Sequence, residues 1–167
     1  AWLDDSARVY PVTVDPMVMT KQDSATIQSK YITSANSNMN AYGSLYVGNQ
    51  PGGMGLVYTA VLYDNLPALS KGDMVCGAYM YLEQRTFSTY GDTTQQIHAH
   101  KIDAEWGGFD LSPAGILDSI PQYDGAVSDY KIVTGSDTNT LVSWDITTAV
   151  KQWYNGGNNF GILLSMA

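Results

Sequence analysis

A chain of 167 residues is long enough to bury one substantial core and is read as a single domain. Charged residues make up only 14%, the formal net charge is −8 and the isoelectric point is about 4.3. That charge repels phosphate backbones and anionic lipid, so nucleic acid and membrane surfaces are set aside as partners. No apolar run approaches the roughly 18 residues of a membrane helix, and the N-terminus lacks the basic-then-apolar pattern of a signal peptide, as in a piece of a larger protein.

Alternation of apolar and polar residues dominates from the start, which is the period of a half-buried strand. Arg8–Val14 reads as a strand that Pro11 confines to a sheet edge or a strand start. Ala25–Ile32 alternates again, and the Asn/Ser-rich stretch from Thr33 to Asn40 reads as a loop. Strands are expected at Ser44–Val47 and Leu56–Tyr63, separated by a turn at Gly48–Gly53. A longer strand is expected over Met74–Glu83, with Cys76, the single cysteine, buried within it as an inert thiol. Gln96–Asp103, Tyr130–Val133, Thr140–Trp144 and Phe160–Met166 complete the set, and Gly107 to Gly125 is the longest irregular stretch. One helix is expected over Thr148–Tyr154. Ile146, Ala149 or Val150, and Trp153 share a face, Asp145 or Thr147 caps the start, and Asn155-Gly156 closes the end. Short strands joined by Gly, Asn, Asp and Pro turns predict an all-β fold, an antiparallel jelly-roll β-sandwich with one short helix near the C-terminus.

The segment Trp144-Asp145-Ile146-Thr147-Thr148-Ala149-Val150-Lys151-Gln152-Trp153-Tyr154-Asn155-Gly156, followed by Asn159–Leu164, resembles the C-terminal signature of DNRLRE-type domains. Asp23–Ser29, Asn40–Gly48, Val61–Pro67 and Ile97–Trp106 fit the same pattern. The resemblance covers residues 20–167 and implies an extracellular β-sandwich module, of a group partly classed as carbohydrate-binding. Residues 1–19 are read as a leader strand or linker, similar to the stretch that precedes such modules in large secreted RHS/YD-repeat and wall-associated bacterial proteins. An Arg that family members often carry near the start of the strand is absent at Tyr58 and Thr59, so no role tied to it is carried over.

Paired carboxylates, the hallmark of glycoside hydrolysis, are missing: Glu83 and Glu105 are the only glutamates and stand apart in sequence. No G-x-S-x-G elbow appears, and no enzyme activity is expected. His98 and His100, two apart on a strand, share one face with Asp103 close by; two half-exposed histidines are the expected arrangement rather than a zinc site. An Asp-rich chain has the hard oxygen ligands of a structural Ca²⁺, with Asp15, Asp23, Asp64, Asp124 and Asp129 as candidates. Trp144 and Trp153 are assigned to the core. Trp106, Tyr123, Tyr90 and Phe109 fall in loops and are the candidate stacking rings, with Asp92, Gln95 and Asp110 as hydrogen-bonding partners. The expected function is binding of carbohydrate or cell-wall polysaccharide outside the cell, at the surface or wall. The rival is a spacer or scaffold that touches only neighbouring domains of its parent protein.

Overall fold

The computed structural model describes residues 27–33, 38–40, 45–50, 55–63, 65–85, 94–105 and 120–167. The strands are β1 (Ile27–Thr33), β2 (Asn38–Asn40), β3 (Gly48–Gln50), β4 (Gly55–Tyr63), β5 (Tyr79–Glu83), β6 (Thr94–Lys101), β7 (Asp129–Thr134), β8 (Leu141–Asp145) and β9 (Ile162–Met166); the helix α1 (Thr147–Tyr154) lies between β8 and β9. Every strand pairing is antiparallel. A seven-stranded sheet runs in the order β2-β1-β4-β9-β6-β7, with β3 also on β4, and β5-β8 form a second sheet. The all-β expectation with one short helix holds.

Period-two alternation builds the core between the sheets. Val61 of β4, Ile97 and Ala99 of β6, and Ile162 and Leu164 of β9 face inward from the large sheet; Met80 of β5 and Trp144 of β8 meet them from the small one. Ile146, Ala149, Val150 and Trp153 bring the apolar side of α1 onto the same cluster. Ile162 and Leu163 are fully buried, and each such side chain contributes roughly 1.5–3 kcal/mol by leaving water. The Trp144 indole N–H donates to the Ile97 carbonyl across the core at 3.1 Å, which pins the two sheets in register.

The helix is tied at both ends. Asp145 accepts from the Thr147 amide at 2.9 Å, and the Thr147 hydroxyl accepts from the Ala78 amide at 2.9 Å, fastening the helix start to the approach to β5. Gly156 takes the left-handed conformation (φ +94°), and the Gly157 amide closes on the Gln152 carbonyl at 2.9 Å. Gly161, also left-handed (φ +92°), lies so close to β4 that a side chain there would land on the Val61 carbonyl oxygen.

Four local expectations change. β5 begins at Tyr79, not Met74, because Met74 stands 74% exposed and finds no sheet to enter. Cys76 is accordingly exposed instead of buried. Asn38–Asn40 forms a strand on β1 despite its polar composition, since an edge strand needs only backbone partners. The strand expected at Ser44–Val47 is displaced to Gly48–Gln50, where Gly48 opens it with φ +124°. The edge strand expected at Arg8–Val14 lies outside the described residues.

Candidate functional site

The outer face of the large sheet carries the described chemistry. On β6, Ile97 and Ala99 point into the core, so His98 and His100 project outward. His98 stands opposite Tyr130 of β7 and Ser165 of β9, and His100 opposite Leu163. Ala60 of β4, Leu163 and Ile102 form a second apolar cluster on this face, with Tyr58, Leu62, Ile120 and Phe160 packed round it.

A strap from Ile120 to Ser128 runs alongside the end of β6, leading into β7, and is stitched to it by backbone hydrogen bonds. The Asp103 amide donates to the Gln122 carbonyl, the Asp124 amide to the Lys101 carbonyl and the Ser128 amide to the Ala99 carbonyl, all within 2.8–2.9 Å. His100 Nδ1 donates to the Asp124 carbonyl at 3.0 Å, because a carbonyl only accepts; this fixes the tautomer. Tyr123 lies over His100 with ring centroids 4.8 Å apart. Together they bury His100 to 6% exposure, which corrects the expectation of two half-exposed histidines. His98 is the more open of the pair, takes the Gln96 amide at 2.8 Å on Nε2, and has Tyr130 at 6.0 Å and His100 at 5.9 Å. Burial raises the Tyr58 phenol above its usual value, with a further push from Tyr123.

On the opposite side of β6 and β7, the side that Ile97 and Ala99 share, charge is paired locally. Lys101 bridges to Asp103 at 2.7 Å and Lys131 to Asp129 at 2.7 Å. Burial pushes the Asp129 carboxyl up, but the Lys131 hydrogen bond and the Asp145 and Tyr130 amides outweigh it and hold it below the ordinary carboxylate value. A cleft of about 130 Å³ lies beside Lys101 and Asp103 at the C-terminal end of α1, bounded by Gln152, Trp153, Asn158 and Phe160. The Trp153 indole N–H is buried without a hydrogen-bond partner among the described residues.

Of the expected ligand-binding set, Trp106, Tyr90, Phe109, Asp92 and Asp110 lie outside the described residues. Tyr123 sits in the strap, whereas Gln95 shares the opposite side of β6 with Ile97, so the sheet separates these two. Of the expected calcium ligands, Asp15, Asp23 and Asp64 lie outside the described residues. Asp124 accepts from the Ala126 amide, and both carboxylate oxygens of Asp129 are engaged. Among the described residues no three His, Cys, Asp or Glu side chains converge as a metal site. Trp144 and Trp153 are in the core, as read from the sequence.

Similarity runs along nearly the whole chain. Over 98% of its length it is 28% identical to a protein named tRNA nuclease WapA from Bacillus subtilis (strain 168), and 28% identical to tRNA(Glu)-specific nuclease WapA from Bacillus subtilis subsp. natto (strain BEST195). It is 27% identical, over the same share, to tRNA3(Ser)-specific nuclease WapA from Bacillus spizizenii. The chain is similar to tRNA nucleases. It spans about 7% of the length of these curated relatives. No family model matches the chain, and no solved structure does.

These names overturn three expectations: that the function is polysaccharide binding (or a ligand-free spacer), that the protein is no enzyme, and that nucleic acid is no partner. The error has a physical source. A net charge of −8 and a missing carboxylate pair describe these 167 residues, whereas the relatives are named for the activity of polypeptides of which this chain spans 7%.

Proposed function

We propose that this chain is a folded β-sandwich unit of a large tRNA nuclease of the WapA kind, and that tRNA is the substrate of the whole protein. The observation that carries this is the likeness to WapA nucleases along 98% of the chain. The geometry agrees with a self-standing unit, because both sheets and the helix close over one shared core. The unit is further proposed to be a DNRLRE-type jelly roll set outside the cell. Its support is the segment Trp144–Gly156, which supplies a β8 core ring, the helix and its glycine stop.

The test is tRNA cleavage by the purified parent polypeptide, with the 167-residue chain alone as a second arm. Cleavage of tRNA by the parent is the expected result. A folded parent that leaves every tRNA intact overturns the reading. Cleavage by the chain alone would place the acid–base chemistry within this unit, where His98 and His100 are the imidazoles to substitute first.

A further inference from the structure

β5 is half-used. The Ile146 amide donates to the Ala78 carbonyl and the Gln84 amide to the Thr140 carbonyl, which sets the phase of the β5–β8 ladder. Ala78, Met80, Leu82 and Gln84 turn their backbone groups toward β8, so the N–H and C=O groups of Tyr79, Tyr81 and Glu83 point to the opposite edge. Among the described residues no strand pairs with that edge. The rings of Tyr79 and Tyr81 stand 56% and 58% exposed on the outward face beside it.

We propose that an extended segment of the parent polypeptide, lying outside this chain, adds to the free edge of β5 as a third strand of the small sheet. The inference rests on the reading of the chain as a unit of a much larger protein. Three observations lead to it. The first is the edge itself: sheets that end in water guard their margins with Pro, Lys or bulges, and Tyr79-Met80-Tyr81-Leu82-Glu83 has none and runs in unbroken register against β8. The second is the inequality of the sheets, which among the described residues number seven strands against two over one core. The third is supply: in relatives of which this chain covers 7%, more than nine-tenths of the polypeptide lies elsewhere.

The chemistry of the added strand follows from the edge. Main-chain hydrogen bonds to Tyr79, Tyr81 and Glu83 give affinity without sequence, and side chains set alternately against the two tyrosines give selectivity. β-branched or aromatic residues suit the exposed rings as cross-strand partners.

Amide hydrogen exchange read by mass spectrometry tests this, comparing the 167-residue chain with the intact parent polypeptide. The expected result is slowed exchange at Tyr79, Tyr81 and Glu83 in the parent only, by at least tenfold. Tyr81→Pro removes the N–H that faces the free edge, and Tyr81→Lys installs an edge guard while leaving the β8 ladder intact. Both should abolish the difference, and unchanged exchange at Ile97–Ala99 certifies that the variant has folded. Equal exchange in chain and parent overturns the proposal. So does protection already present in the chain alone, which assigns the edge to its own residues, or to a second copy if protection grows with concentration. Cleavage of tRNA by the same parent reports on the functional reading separately, so the two can fail independently.

Discussion

The two sheets share a core but differ on their outer faces. On the large sheet the outward side chains of β4, β6 and β9 lie among the Ala60–Ile102–Leu163 cluster and the Ile120–Ser128 strap, and His100 and Leu163 are buried there. On the small sheet the outward side chains of β5 and β8, Tyr79, Tyr81 and Leu141, stand in the open. Both faces arise from the same alternation, and what separates them among the described residues is whether another stretch of chain packs against them. Among those residues an outward position is therefore a second core on one sheet and an open surface on the other.

The largest expected effect sharpens this contrast directly. Leu163→Ala, on the covered face, should cost about 3 kcal/mol in denaturant unfolding, because it opens a cavity between β9 and the cluster. Trp144→Phe shrinks the ring and removes the side-chain donor to the Ile97 carbonyl, and should cost about 1.5 kcal/mol by the same measurement. His100→Phe preserves bulk beneath Tyr123 while removing the bond to Asp124, and should cost about 1 kcal/mol. Its loss should appear as faster amide exchange at Asp124 and Ser128, with exchange in the inter-sheet core unchanged.

Alkaline titration probes the covered side of the comparison. Burial pushes the Tyr63 phenol up to about 12. A folded state that holds this proton more tightly than the unfolded chain has the associated stability in full below pH 10. It loses that stability progressively as pH rises toward 12. Tyr63→Phe should flatten the decline in a melting-temperature profile, which reads the covered interior. The smallest effect belongs to Tyr81→Ala, expected within about 0.5 kcal/mol of the parent sequence. A loss as large as that of Leu163→Ala would break the comparison, since it would mean that the open face is covered within the chain.

Much of the architecture is legible in the residues. Alternation located β4, β6, β7, β8 and β9 to within about two residues, because each has one side on the core and the period is enforced by burial. The helix was readable from Ile146, Val150 and Trp153 on one side and Asn155-Gly156 at its end. Its start was less so, since Ile146 takes the cap position and Asp145 reaches past it to the Thr147 amide. β2 and β3 escaped because short edge strands are held by backbone bonds that leave no pattern of side chains. The candidate site was half legible. The shared face of His98 and His100 follows from their spacing, but the strap that buries His100 comes from residues more than twenty positions away. Function was not legible, since charge and motifs pointed away from nucleic acid, whereas the relatives that the chain resembles at 27–28% identity, and of which it spans 7%, are named tRNA nucleases.

By itself the sequence determined that this protein is all-β with one short C-terminal helix, and which side chains of β4, β6 and β9 point together. Those properties are local: a period of two residues, a left-handed glycine stop, an apolar stripe along one turn of helix. Only the tertiary structure decided that Met74 and Cys76 lie outside the sheet, that His100 is sealed beneath Tyr123, and that Tyr79 and Tyr81 face outward with no strand of the described residues on their free edge. Each depends on which distant segment packs against a given face, and the alternation of a strand defines its two faces without naming what covers either of them.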